Sequence, residues 1–168
     1  EFHWDTSHPD YLTGEIIATN VAGYAGIGFS RSGDMPGSDI ILMWIDDQGR
    51  VYLKDFHATK NAAPIKDVQQ DVELLTAERN DVGFRVIFRW KWDTCDDDED
   101  FQIGHDTVKL IWAWSNDVFK GNGAFQWHGN VNRGVRSVSL KFEVPSSSRV
   151  PHEGGKYWDA IHPNFVVP

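Results

Sequence analysis

Alternation of apolar and polar residues with a period of two dominates this sequence and limits the folds that it can adopt. In the segment 84–92, every second residue is aromatic or aliphatic, namely Phe84, Val86, Phe88, Trp90 and Trp92. Successive side chains of a β-strand point to opposite faces, so such a segment buries one face and exposes the other. No comparable stretch follows the helical period of 3.6 residues. The pattern therefore favours an all-β fold.

The same pattern recurs along the chain at intervals of about ten residues, with turn residues between the repeats. Predicted strands lie at 15–21, 23–29, 40–45, 50–55, 72–79, 84–92, 107–114 and 136–143. Such a series predicts an immunoglobulin-like antiparallel β-sandwich. We expect the sandwich to span residues 1–144. The Ser- and Pro-rich start of 145–168 is typical of a linker, so this tail either packs back on the sandwich or leads to another domain.

Charge and hydropathy exclude several classes of function. The net charge is −9 and no Lys/Arg cluster is present, so the sequence predicts no nucleic-acid binding. No apolar run approaches the roughly 20 residues of a membrane helix. Eight Trp residues leave a small-ligand site in the interior or mouth of the sandwich as one alternative. The single cysteine, Cys95, has no partner within this sequence for a disulfide.

Catalytic patterns are missing from the sequence. There is no Gly-x-Ser-x-Gly elbow, and the seven histidines form none of the usual metal-binding spacings. The acidic run 96–100 lacks the glycine and glutamate positions of an EF-hand loop, so we expect a solvated loop there. The sequence therefore predicts no catalytic residues in this chain.

Two other groups of residues are candidate ligands. Asp39 and Asp71 each lie near the start of a predicted strand, where carboxylates and strand-end carbonyls would suit Ca²⁺ or a similar hard cation. Side-chain capping of turns is the alternative role for these two residues. Met35 and His128 carry a thioether and an imidazole, which can ligate haem iron from opposite faces.

Several motifs together resemble a known family. They include Gly23-Tyr-Ala-Gly-Ile-Gly-Phe-Ser, Gly33-Asp-Met-Pro-Gly-Ser-Asp-Ile, Asp106-Thr-Val-Lys-Leu-Ile-Trp-Ala and His128-Gly-Asn-Val-Asn-Arg-Gly. In this order they resemble the N-terminal DOMON domain of the dopamine β-hydroxylase, tyramine β-hydroxylase and DBH-like monooxygenase group. The resemblance implies an immunoglobulin-like sandwich and a secreted protein or one in the secretory-pathway lumen.

The resemblance also implies positions for ligands. The metal site proposed for the family falls on the Asp39 side chain, the backbone carbonyls of Ile40 and Phe56, and Asp71. Other DOMON domains bind haem b, and Met35 and His128 fit that outline. The family's cysteine at Cys95 pairs with one in a distant part of the longer chain.

In the parent enzymes, copper and ascorbate serve further domains, whose copper ligands this chain lacks. We therefore expect a non-catalytic binding or scaffolding domain with a structural cation, alongside copper monooxygenase domains in a longer, catalytic parent chain. The alternatives are a haem-binding electron-transfer domain and a free-standing binder of a small ligand. The sequence gives no expectation for the oligomeric state.

Overall fold

The computed structural model describes residues 1–96, 100–118 and 125–141. These residues contain ten β-strands and no helix. The strands are β1 Phe2–Asp5, β2 Tyr11–Thr19, β3 Tyr24–Ser30, β4 Ser38–Ile45, β5 Val51–Ala58, β6 Ile65–Lys66, β7 Val72–Asn80, β8 Gly83–Lys91, β9 Val108–Ser115 and β10 Arg133–Val138. The predicted all-β class is confirmed.

The strands form two antiparallel sheets that pack face to face. One sheet has four strands in the order β1-β2-β8-β7, and the other has six in the order β10-β9-β3-β4-β5-β6. The alternating side chains of β8 bury Phe84, Val86, Phe88 and Trp90 between the sheets. The indole of Trp90 stacks on Phe29 of the opposite sheet, with ring centroids 4.6 Å apart. The two apolar inner faces thus hold the sandwich together.

Strand β4 is buried along its whole length. Its odd-numbered apolar residues, Ile41, Met43 and Ile45, belong to the core between the sheets. Its even-numbered apolar residues form a second cluster on the outer face of the six-stranded sheet, where Ile40, Leu42 and Trp44 meet Tyr24, Phe56 and Ala58. The apolar run 40–45, where a strand is predicted, therefore corresponds to a strand covered on both faces.

The alternating glycines of β3 let neighbouring strands approach closely. A Cβ atom added at Gly28 would lie 2.6 Å from the carbonyl oxygen of Asp39 and 3.0 Å from the Ile40 side chain. Such a contact is shorter than van der Waals distance, so only glycine fits without a shift of the β4 backbone. This contact fixes the start of β4, where Asp39 lies.

The strand predictions differ from the structure at several strands. Strand β2 begins at Tyr11 and not at 15, and β5 ends at Ala58 and not at 55. Strands β1 and β6 were not predicted, because they have only four and two residues and such short segments carry little periodicity. The last strand, predicted over 136–143, is instead Arg133–Val138, which pairs with β9 from Ala113 to Val108. Residues 142–168 lie outside the described part of the chain, so the division at 144 stays a prediction. No helix among the described residues is long and apolar enough to cross a membrane.

Candidate functional site

Two buried carboxylates lie side by side on the inner face of the six-stranded sheet. Asp39 is opposite His57 in the β4–β5 ladder, and Asp55 is opposite Ile41. Asp39, Ile41 and Asp55 therefore point to the same side, because side chains alternate along both strands. Asp39 is 2% exposed and Asp55 is 0% exposed. The core of the sandwich thus contains two acidic groups where its pattern calls for apolar side chains.

A third carboxylate reaches this pair from the loop between β8 and β9. One carboxylate oxygen from each of Asp39, Asp55 and Asp100 lies within 4.8 Å of the others. The loop is held in place by the amide of Phe101, which donates to Asp39 Oδ2 at 3.0 Å. We call Asp39, Asp55 and Asp100 the acidic cluster.

The acidic cluster contains carboxylate oxygens that no group in the described part of the chain satisfies. Within the described residues, Asp39 Oδ1 and Asp55 Oδ1 are buried and accept no hydrogen bond. A buried polar atom without a partner costs about 1–3 kcal/mol, and more when it is charged. Native proteins contain few such atoms, so two on adjacent strands call for a bound group or a proton.

Burial and mutual repulsion raise the proton affinity of both groups. The pKa of Asp39 is held well above its usual range. Burial is the largest cause, and repulsion by the nearby Asp55 carboxylate is the second. Burial, with the added charges of Asp100 and Asp67, raises the pKa of Asp55 to about 8. Like charges in a site of low dielectric favour the neutral form. The cluster therefore binds either protons or a cation more readily than exposed carboxylates do.

A layer of hydrogen bonds holds the backbone around Asp55. The amide of Asp55 donates to Gln70 Oε1 at 3.1 Å, and Gln70 Nε2 donates back to the Asp55 carbonyl at 3.0 Å. The amide of Asp67 donates to the same carbonyl at 3.1 Å. The side chain of Asp67 in turn accepts a hydrogen bond from His57 Nδ1. This network fixes the position from which the Asp55 side chain enters the core.

Asp71 is buried next to the acidic cluster but already has cationic and polar partners. Lys91 Nζ donates to Asp71 Oδ1 at 2.6 Å, and Gln69 Nε2 donates to Asp71 Oδ2 at 2.6 Å. The amide of Asp71 lies 3.4 Å from Asp55 Oδ2. Asp71 therefore adjoins the acidic cluster through its backbone, while both of its carboxylate oxygens are engaged elsewhere.

Of the four predicted metal ligands, Asp39 is the one that lies in the acidic cluster. Ile40 and Phe56 face each other across β4 and β5, and their side chains belong to the outer-face cluster. The predicted set Asp39, Ile40, Phe56 and Asp71 stays a prediction.

Asp55 is not among the predicted ligands, and Asp100 is predicted to lie in a solvated loop. In the structure Asp100 is only partly exposed and joins the acidic cluster. The sequence does contain a signal for Asp55. This residue continues the period-two series of the apolar residues Val51 and Leu53, so a carboxylate interrupts the apolar face of β5. Asp100 gave no comparable signal, since four other acids precede it in the same run.

The two candidate haem ligands lie in different surroundings. Met35 packs against the outer-face cluster of the six-stranded sheet, and Phe125 packs on the same cluster edge-on to Trp44 and Phe56. His128 Nδ1 lies 2.7 Å from the carbonyl oxygen of Gly129. A carbonyl only accepts, so Nδ1 is the donor here, and Nε2 is the ring nitrogen left to face an axial ligand position. The donor types therefore fit haem, but the Phe125 ring takes part of the room on this face.

Comparisons with known proteins agree with this architecture. The DOMON domain family matches residues 1–115. The chain is 33% identical over 166 residues to mouse (Mus musculus) DBH-like monooxygenase protein 1, covering 99% of this chain and 26% of that protein. It is 27% identical over 141 residues to rat (Rattus norvegicus) dopamine beta-hydroxylase, covering 84% of this chain and 22% of that protein. The chain thus spans about a quarter of the length of these relatives.

A solved structure supports the fold independently. The cytochrome domain of Myriococcum thermophilum cellobiose dehydrogenase superposes with a TM-score of 0.59 at 20% identity, covering 77% of this chain and 66% of that one. At this identity the likeness concerns the fold alone. Together with the family match over residues 1–115, the two-sheet architecture leads to one conclusion: the chain belongs to the DOMON domain family and is related to the DBH-like monooxygenases.

Proposed function

We propose that this chain is a non-catalytic scaffolding domain whose sandwich is stabilised by a divalent hard cation, Ca²⁺ or one of similar chemistry. The observation that supports the proposal is the pair of buried oxygens, Asp39 Oδ1 and Asp55 Oδ1, that accept no hydrogen bond within the described residues. Carboxylate oxygens are the ligands that Ca²⁺ prefers, usually six to eight oxygens in all. Asp39, Asp55 and Asp100 would supply the charged ligands, and backbone carbonyls or water would complete the shell.

A cation held there would have a structural effect on the fold. It would offset the repulsion among three carboxylates whose oxygens lie within 4.8 Å of one another. It would also join the β4–β5 hairpin to the loop before β9, which is far from the hairpin in sequence. Because the unfolded chain has no preformed site, the free energy of binding would add to the stability of the fold.

The larger setting of the domain is part of the same proposal. The relatives are about four times longer than the matched region, and their names denote a DBH-like monooxygenase and a hydroxylase. We propose that this domain accompanies copper monooxygenase domains in a longer, secreted or secretory-lumen protein. Its role there would be to support those domains, since the described residues hold the acidic cluster but no cluster of His or Cys ligands.

Calcium binding to the purified chain tests the proposal. After removal of metals with a chelator, equilibrium dialysis against ⁴⁵Ca²⁺ is expected to give about one bound ion per chain. Asp55→Asn is expected to abolish this binding, because it removes one charged ligand. Asp71→Asn is expected to retain it, since Asp71 is already paired with Lys91. Asp10→Asn is the matched control, because its side chain is 82% exposed.

The variants also separate the two possible ligand sets. Loss of binding in Asp71→Asn with retention in Asp55→Asn would favour the set implied by the family resemblance. Absence of calcium binding by the wild-type chain at millimolar concentration would reject the cation.

Haem binding is the second candidate function. It is supported by the fold shared with a cytochrome domain and by Nε2 of His128, the ring nitrogen that is not engaged with Gly129. The chain purified from haem-supplemented cells would then show a Soret absorbance band, and both Met35→Leu and His128→Ala would shift or remove it. We expect no such band, because Phe125 packs on the face next to Met35. A stoichiometric Soret band would place the chain among the cytochrome-like DOMON domains instead.

A further inference from the structure

An apolar cleft of about 340 Å³ opens between the two sheets, away from the acidic cluster. It is lined from one sheet by β1 and β2 and from the other by β3 and β9. No residue of the acidic cluster lines it. Pockets that bind small molecules have volumes of about 300–1,000 Å³ and mostly apolar walls. The cleft therefore has the size of a small-ligand site.

Small side chains leave this space open. Ala18 of β2 and Ala25 of β3 each point toward the opposite sheet and line the cleft. Most other inward-facing positions of the core hold larger side chains. Trp112 and Trp114 of β9 line the same cleft and are only partly buried. Two planar indole rings with exposed surface thus flank a space that the protein's own side chains do not fill.

A glycine on the neighbouring strand sets the position of one of these rings. Gly134 of β10 pairs with Trp112 of β9. A Cβ atom added at Gly134 would lie 2.1 Å from Cζ2 of the Trp112 indole, so the ring extends over the bare backbone of β10. Any side chain at position 134 would displace this ring. Gly134 thus allows the Trp112 ring to take the position in which it forms one wall of the cleft.

The chemistry of the walls restricts the occupant. The side chains that face the cleft, including Phe2, Ile16 and both tryptophans, are uncharged. Glu1 also borders the cleft, but its carboxylate lies 3.5 Å from His3 Nε2. His3 alternates with the inward-facing Phe2, so this contact is on the outer face of the sheet. The N-terminal ammonium of Glu1 already donates to the Ile17 carbonyl at 2.7 Å. A charged ligand would therefore lose its hydration without gaining a free partner, which is unfavourable.

We propose that this cleft binds a compact, neutral, planar aromatic molecule that stacks against Trp112 and Trp114. The site is separate from the acidic cluster and does not depend on a bound cation. Offset stacking between aromatic rings would orient the ligand, while burial of apolar surface would supply most of the affinity.

Fluorescence titration with the neutral dye N-phenyl-1-naphthylamine tests the proposal on the full 168-residue chain. Binding is expected to enhance dye emission and to quench tryptophan emission with saturation. Trp112→Ala is expected to weaken binding by at least about threefold, the loss of one stacking contact. Ala18→Leu should abolish binding by filling the cleft. Trp127→Ala is the control for dye on the surface, because Trp127 is 58% exposed and should not affect the titration.

Gly134→Ala provides a second test that leaves the core residues unchanged. It is expected to weaken dye binding because the indole of Trp112 must move. It thus answers the question even if Ala18→Leu does not fold, which its melting curve would show. Three results would overturn the proposal: no saturable binding, equal affinity in all variants, or binding that appears only after removal of residues 145–168. The last result would identify the chain's own tail as the occupant.

Discussion

Calcium at a hundredfold excess over its dissociation constant is expected to raise the melting temperature of this protein by roughly 5 to 11 °C. Binding to the folded state alone contributes about 2.7 kcal/mol to the free energy of unfolding at that excess. For a domain of this size each kcal/mol corresponds to roughly 2–4 °C. Differential scanning calorimetry with calcium and with chelator measures the difference directly.

Asp39→Asn and Asp10→Asn separate a specific effect from a general one. Asp39 lies in the acidic cluster and is 2% exposed, so its amide variant is expected to lose the response to calcium. The exposed Asp10 is expected to make no difference. In the presence of chelator, Asp39→Asn should melt at or above the temperature of the wild type, because it replaces a carboxyl group whose ionisation is disfavoured by burial and by Asp55 with a neutral amide. An equal calcium response in all three proteins would indicate weak screening of the net charge instead.

Without calcium, the protein is expected to lose stability as the pH rises from about 4 to about 8. The folded-state pKa of Asp55 is raised from 3.8 to about 8 by burial and by the charges of Asp100 and Asp67. A carboxyl group with a raised pKa stabilises the folded state fully below its unfolded pKa, and this contribution is lost as the pH passes through the folded pKa. Asp39, whose pKa is also raised by burial, acts in the same direction. The melting temperature in chelator should fall by several degrees across this window.

Calcium is expected to reverse this trend. Ligand carboxylates must be deprotonated to bind a metal ion, so calcium binding strengthens as the pH rises. Melting temperatures measured with and without calcium should therefore diverge between pH 5 and pH 8. Asp55→Asn, which has no proton to lose at this position, should show a smaller fall in chelator, due to Asp39 alone, and no response to calcium. A wild-type stability in chelator that rises steadily to pH 8 would contradict the assignment of buried, protonated carboxyl groups.

The sandwich could be predicted because its signals are local. Alternation in β8 and the double-sided burial of β4 follow directly from the order of apolar residues in each segment. Strands β1 and β6 could not be predicted in this way, because they are fixed by pairing with β2 and β5 and contain few residues. The start of β10 at Arg133 likewise depends on its register with β9.

The candidate site was only partly predictable because it is assembled from distant segments. Asp39 stood out because it follows a glycine-rich turn and begins an apolar strand. Asp55 interrupts the apolar face of β5, which is a local signal that period-two analysis could have used. Asp100 is brought to these residues by the path of the β8–β9 loop, and no local pattern separates it from the acids before it. Spatial proximity of residues 39, 55 and 100 is a property of the topology.

A crystal structure of the protein grown with calcium tests the cation site most directly. The expected result is one anomalous peak between β4 and β5, with oxygens of Asp39 and Asp55 at about 2.3–2.6 Å from the ion. Asp100 is expected to complete the charged ligands from the adjacent loop. The contradicting result is a structure in saturating calcium in which the carboxyl groups of Asp39 and Asp55 bond to each other through a proton and no ion lies between them.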